Sequence, residues 1–514
     1  MRLPFPERIP LEYVVLTAAI LAALQQLQRT PLLFSVYSFL FLVIAAIAFN
    51  TAGGFTRPSG SYVFFYSTLG LIVGLFYKAY LGEPADSNLR NPILTMQVYT
   101  AGISAMLFAV IISRRISRKK AFLTDIVKEK DMKNAAIGSF AVGLMLYLLR
   151  NVLPQENGTV LSAVGQLDRF LEMSIIVATV HSIKQSGGRT GFSPTVVIAL
   201  GVTTFAGAMT FGKQGMFTPL LCWAIAACSM RLRIRPYQIG VGLVVLYVIF
   251  HFLVPYSQWG RTQVPENATF PERMQVSIAL LSDLNGVRQQ YEAAFADDTD
   301  IGSSDDTGTS MEYYNEPQGF FDRLTMIGPD DALIDFTNRG NYYGVTVIPA
   351  YFANWIPHFL WPDKPGLASG NLFAHEIGGI LGDDDYSTGI SFTPSGEAFH
   401  LAGWAGVFVI APLIWIMVFT VFDSLCGDTR KSPWGLLTIA LFAHDAPEGM
   451  LGGAIYVTWF GSLGIIFVAL ACAYVMPLIG TLLAGPEKTG LVRLRKRGIP
   501  SRTLPPADRA RLPV

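Results

Sequence analysis

Runs of about twenty apolar residues recur along most of the chain, and nothing else in the sequence constrains the fold as strongly. A helix rises about 1.5 Å per residue, so about 20 apolar residues cross a hydrocarbon layer about 30 Å thick with every backbone polar group bonded internally. Twelve stretches fit or nearly fit that length: 11–28, 32–49, 62–81, 93–112, 135–153, 160–183, 195–211, 216–230, 238–255, 398–422, 433–446 and 455–483. The eleventh is the weakest, because it breaks at His444-Asp445-Ala446-Pro447-Glu448-Gly449. It reads as a full span, a half-span or a re-entrant helix. Charged residues make up 15% of the chain, against about 25% in soluble domains. The pattern predicts an all-α polytopic integral membrane protein with about 12 transmembrane helices. A net charge of +1 gives no bulk attraction for nucleic acid. The four cysteines, Cys222, Cys228, Cys426 and Cys472, lack metal-ligand spacing and read as small core side chains. No small-residue cleavage site follows the first apolar run, and a second run begins close behind it. No cleavable leader is therefore expected.

Positive charge sets the expected orientation. Segment 113–134 carries Arg114, Arg115, Arg118, Lys119, Lys120, Lys128, Lys130 and Lys133. With that segment in the cytoplasm, alternation also places Lys184 and Arg189, the arginines 231, 233 and 235, and Arg430 with Lys431 inside. Both termini follow, the second within a basic tail, 484–514. The chain then divides into nine spans (1–255), one long outer segment (256–396), three spans (397–483) and the tail. The outer segment begins as an amphipathic helix, 272–296, with Met274, Ile278, Leu281 and Leu284 at helical spacing. An acidic, Gly- and Ser-rich connector follows, then a helical piece, 318–338, then an aromatic stretch. Asp383-Asp384-Asp385 reads as a solvated turn, so no metal is called for.

Several polar residues fall where a membrane protein tolerates few. Asp168, Arg169 and Glu172 lie within the sixth stretch; charges there normally face a bundle interior or water. Arg169 and Glu172 are three apart and can pair on one helix face, either as a packing ion pair or as the wall of an outward-opening cavity. Arg150 is expected at similar depth. Lys213 sits in a tight Gly-Lys-Gln-Gly turn, and Arg261 follows the ninth stretch beside Trp259. The outer segment adds Arg339, His358, Lys364, His375, Glu376, Glu397 and His400. Glu397 and His400 are three apart at the mouth of the tenth stretch. They read as a helix-start carboxylate with a satisfied histidine, or as a general base and its orienter.

Residues 355–366 (WIPHFLWPDKPG) resemble the Ile-Pro-x-x-Leu-Trp-Pro-x-Lys-Pro segment of bacterial oligosaccharide repeat-unit polymerases, the O-antigen and exopolysaccharide polymerases. Residues 391–406 (SFTPSGEAFHLAGWAG) are similar to that family's Gly-Glu-x-aromatic motif with a following Gly-x-x-Gly. The turn at Lys213 resembles its Gly-basic-Gly turn, with Gln214 in place of the usual arginine. His358 also stands where the family often has arginine. The resemblance implies a GT-C-like membrane glycosyltransferase that needs no metal or cofactor. Its substrates would be polyprenyl-diphosphate-linked oligosaccharides, joined at the outer face of the bacterial cytoplasmic membrane. A chain-length regulator and a flippase would be its pathway partners. Lys213, Arg261 and Arg339 are then candidates for the diphosphate, and Glu397 or His400 for the base. Trp355, Trp361, His358, Lys364 and Arg169 would contact substrate. A related ligase remains open on these motifs, as does a lipid-linked sugar flippase.

Overall fold

The computed structural model describes residues 1–124, 126, 129–153, 165, 168–264, 268–299, 327–357, 360, 361, 364, 370–378 and 390–485. No β-strand occurs among them. The apolar stretches form α1 (Leu11–Leu27), α2 (Leu32–Ala52), α3 (Pro58–Leu81), α4 (Pro92–Ile116), α5 (Glu129–Val152), α6 (Phe170–Gln185), α7 (Pro194–Met209), α8 (Lys213–Ser229) and α9 (Pro236–Thr262). The outer segment contributes α10 (Phe270–Ser282), α11 (Leu284–Thr299), α12 (Ile327–Asn338), α13 (Ile348–Ala353) and α14 (Gly370–Ile377). After it come α15 (Pro394–Ala405), α16 (Ala411–Cys426), α17 (Pro433–Glu448), α18 (Met450–Tyr474) and α19 (Met476–Ala484).

Among the described residues, 7 helices are long and apolar enough to cross a membrane by length and composition, counting Pro394–Lys431 as one. The other five stretches are helices too, of 16 or 17 residues. Six helices, α3, α4, α7, α9, α15 and α17, begin on a proline. The missing N–H costs nothing in a first turn, and the ring presets φ for the helix. In the sixth stretch the described helix begins at Phe170, with Arg169 at its N-cap, and most of 160–167 lies outside the described residues. The ninth runs on to Thr262, past the expected boundary at 255.

Contacts gather the basic segments at one end of the bundle. Leu3 N donates to Leu232 O (3.0 Å), and Phe122 N to Ser424 O (3.0 Å). Glu7 pairs with Arg430, and Glu129 with Lys184. Asp423, fully buried, accepts from Ser59 Oγ at 2.8 Å. At the opposite end Ala85 N donates to Thr30 Oγ1 (2.9 Å) and Asn91 N to Asp331 (3.1 Å).

The tenth stretch departs most from a simple span. The run from Pro394 to Lys431 is 38 residues long, more than one crossing needs. The helix breaks at Ala402 (φ −154°, ψ 23°) and Gly403 (φ 58°, ψ −138°). Beyond the break the chain turns back so closely that a Cβ on Gly406 would lie 1.7 Å from Ala398 O. Residues 394–401 are thus a short buried helix, and the crossing run starts after it. Irregular backbone at such depth is tolerable only inside protein, and 394–401 are all buried.

Candidate functional site

Two adjacent carboxylates to which sequence reasoning assigned no role tie α12 to the bundle, and the first of them holds the start of the short helix 394–401. Asp330, on α12, accepts from Thr393 N (3.0 Å), Thr393 Oγ1 (2.5 Å) and the Tyr99 hydroxyl (2.7 Å). Its neighbour Asp331 accepts from the amides of Arg90 and Asn91 and from Thr95 Oγ1 (2.7 Å). Each carboxylate therefore sits at a helix N-terminus, α15 for one and α4 for the other, where free N–H groups favour negative charge. Burial pushes the Asp330 carboxyl up to about 7, against the pull of its Thr393 and Tyr99 hydrogen bonds. The glycine in Ser395-Gly396-Glu397 has a steric reason: a Cβ there would meet Asp330 Oδ1 at 2.4 Å. The available signal was an adjacent acidic pair in an otherwise apolar helical turn.

Glu397 and His400 share this helix but serve different partners. Glu397 is fully buried and accepts from the Tyr351 hydroxyl and the Leu451 and Gly452 amides. It fastens α13 and the start of α18 to α15. Burial, and then the Glu397 charge, push the Tyr351 phenol up, so it remains a donor. That leaves Tyr351 as a strut inside the fold. His400 is also fully buried. Its Nδ1 lies 2.8 Å from Thr337 Oγ1 and its Nε2 3.3 Å from Glu376 Oε2. The ring packs edge-on against Phe373 at 4.8 Å. No hydrogen bond joins Glu397 to His400 among the described residues, so the two are not a base and its orienter.

The remaining outer-segment candidates scatter. Arg339 is 68% exposed and pairs with Asp335 at 2.5 Å. Trp355 stacks on Trp459 (5.2 Å, 14°), and its Nε1 donates to Ile455 O at 2.9 Å. It anchors the loop to α18. Lys364 Nζ donates to Ile356 O (2.8 Å) and Asn354 O (3.4 Å), closing its own loop, and desolvation pulls its ammonium down. Trp361 keeps 41% of its surface exposed. His358 and Asp383-Asp384-Asp385 lie outside the described residues.

A cavity of about 320 Å³ opens among α5, α6, α7, α8, α17 and α18. Its wall brings together Arg150, Asp168, Arg169 and Glu172 with Tyr147, Thr210 and Gln214. The expected polar wall and the nearby Arg150 are both here. The expected Arg169–Glu172 pair is not found among the described residues. Arg169 stands before the helix (φ −137°, ψ 24°), and its NH1 donates to the Asp168 carbonyl at 3.1 Å. Arg169 lies within electrostatic reach of His444 and Tyr456. His444 Nδ1 is 3.1 Å from Asp445 Oδ1. The expected break at 444–449 is not one: α17 runs unbroken to Glu448, and His444 and Asp445 in its last turns add ionisable groups beside Arg169 that had drawn no site assignment.

The Lys213 turn borders this cavity. Phe211 has φ 51°, and Lys213 opens α8 directly after Gly212. α7 and α8 meet at Gly207 and Gly215, where a Cβ on Gly207 would be 2.2 Å from Gly215 C. Arg261 Nε donates to Phe211 O (3.2 Å), beside Ser257 Oγ on the same oxygen (2.5 Å). The structure therefore brings Arg261 to the backbone of the Lys213 turn, with Arg169 on the adjoining cavity wall. Arg339 and Lys364 are held by other partners. Ionisable groups clustered between apolar helices are costly, which makes this cavity the candidate site. Two guanidiniums can grip a phosphate with forked hydrogen bonds, and two carboxylates can accept from hydroxyls. Comparison of the chain with protein-family models, with curated proteins and with solved structures finds no match.

Proposed function

We propose that this chain is a membrane-embedded glycosyltransferase that polymerises polyprenyl-diphosphate-linked oligosaccharide repeat units into a cell-surface polysaccharide. It would act at the outer face of a bacterial cytoplasmic membrane. The observation that carries the reading is the charged cavity between apolar helices, lined by Arg150, Arg169, Asp168 and Glu172. Its volume is at the lower end for small-ligand sites, about 300–1,000 Å³. The guanidiniums suit a diphosphate; the carboxylates and hydroxyls beside them suit the first sugar. The flanking helices offer apolar surface to a polyprenyl tail. Lys213 and Arg261, at the adjoining turn, extend the cationic region.

Both substrates of such a polymerase are lipid-linked, so each carries a diphosphate at one end of its oligosaccharide. A cavity holding one headgroup leaves the far end of that glycan free to reach the outer segment. There the exposed rings of Trp361 and Tyr342 offer flat apolar faces of the kind sugars stack on. The test is direct. The purified protein is incubated with a polyprenyl-diphosphate oligosaccharide and the products are separated by length. A ladder of longer glycans is expected, lost in Arg169→Ala. No ladder with the native repeat unit would remove this reading, and a single transfer to a different acceptor would replace it with a ligase.

A further inference from the structure

The charged cavity follows one face of α17, where Leu437, Ala440 and Leu441 line it. Residues three and four apart share a helix face, so the next positions on that face are His444 and Glu448. Neither is sealed in packing, since their side chains are 40% and 37% exposed. His444 Nδ1 lies 3.1 Å from Asp445 Oδ1, while its Nε2 stands 3.7 Å from Glu448 Oε2, beyond a hydrogen bond. Asp445 holds the imidazole from behind: its Oδ2 is buried, with the Tyr62 phenol in electrostatic reach. On α18, Phe460 lines the cavity, and Tyr456 lies against it with ring centroids 4.9 Å apart and planes at 36°. Tyr456 is 37% exposed. Arg169, on the cavity wall, is within electrostatic reach of both His444 and Tyr456.

We propose that the outer ends of α17 and α18 form the subsite for the sugar bonded to the diphosphate, with Tyr456 and Phe460 as its stacking face and His444 and Glu448 as its hydroxyl partners. This deepens the reading of the cavity as a site for a lipid-linked diphosphate, and rests on it. The chemistry of the wall changes past Arg169. Arg150 and Arg169 suit phosphate oxygens, which forked guanidiniums bind well. Asp168 beside them is occupied as a cap of α6, accepting from Phe170 N at 3.2 Å. Beyond Arg169 stand a carboxylate, an imidazole and two rings. A carboxylate repels a phosphate but accepts from a hydroxyl, and an imidazole nitrogen can give or take a hydrogen bond. Aromatic faces offer the flat apolar surface on which a sugar ring stacks.

The order of groups along the protein matches the order along the substrate. The first sugar is one bond from the diphosphate, and these groups adjoin Arg169. The outer segment is fastened to the same turns of α18, because Trp355 stacks on Trp459 and its Nε1 donates to Ile455 O. A glycan leaving the subsite outward would meet that segment next.

The contribution of the sugar is measured by binding to the purified protein in lipid nanodiscs. Two probes are compared: polyprenyl diphosphate alone, and the same lipid carrying the first sugar of the native repeat unit. The wild type should bind the sugar-bearing probe about tenfold or more tightly, the size of one hydrogen bond to a charged group. Tyr456→Ala and Glu448→Gln should each remove most of that gain. Both should bind the bare diphosphate within about threefold of wild type, which also shows that they fold. Arg169→Ala should weaken both probes. Equal wild-type affinity for the two probes, or a sugar gain that survives in both variants, overturns the subsite and leaves the diphosphate reading standing. No binding of either probe to the wild type overturns the diphosphate reading and the subsite with it.

Discussion

Replacing Asp330 by alanine should release the outer segment from the bundle. The carboxylate is fully buried and accepts three hydrogen bonds, at 3.0, 2.5 and 2.7 Å, from Thr393 and Tyr99. Alanine leaves three buried donors without that acceptor, each costing about 1–3 kcal/mol. Two of the three are hydroxyls that can rotate toward other acceptors. Removal also recovers part of the cost of burying a charge, which the rise of this carboxyl to about 7 reflects. The net loss should fall near the lower end, about 3 kcal/mol. Opening of 327–338 and 391–401 would then be about a hundredfold more frequent, since about 1.4 kcal/mol is a factor of ten. Hydrogen exchange by mass spectrometry in nanodiscs measures this peptide by peptide. The amide bonds at Arg90 and Asn91 depend on Asp331, so peptides at the start of α4 should exchange as before. Asp330→Asn keeps one carbonyl acceptor and should lose about half as much. If the Asp330→Ala peptides exchange within about threefold of wild type, the carboxylate does not hold the loop and the reasoning fails.

Three further outcomes follow from the same geometry. Burial pushes the Asp330 carboxyl up to about 7 in the folded chain, from about 3.9 unfolded, so its contribution to docking is full below about pH 4 and lost as pH rises through about 7. Protection of 391–401, corrected for intrinsic exchange, should be greater at about pH 5.5 than at about pH 8. Gly406→Ala would place a Cβ 1.7 Å from Ala398 O; the folded yield after solubilisation should collapse, and a wild-type yield would mean the chain reversal at 402–403 is not required. Arg261→Ala removes one of two donors to Phe211 O, so thermal stability should change by no more than about 1 kcal/mol; the informative readout is chain growth, and an undiminished rate would take Arg261 out of the cationic region.

The helical architecture was legible because it is written locally. Twenty apolar residues in a row need no distant partner to be read, and each of the twelve stretches holds a helix. The tenth was misjudged at its start because hydropathy cannot see a backbone reversal: 398–401 are as apolar as a span but belong to a short buried helix. Gly403 and Gly406 carried the sign of that reversal. In the sixth, Asp168 and Arg169 stand just before α6.

By itself, then, the sequence determined that the chain would form apolar helices, where basic segments fall, and which polar residues sit in costly places. Tertiary packing decided what those polar residues do. Asp330 and Tyr99 are separated by 231 residues, and Glu397 and Leu451 by 54. A carboxylate becomes a staple where packing saturates its oxygens. It saturates those of Glu397 and leaves Glu376 half-open, with His400 behind it. No local spacing encodes that difference, because a hydrogen bond is counted between groups that only the folded chain brings together.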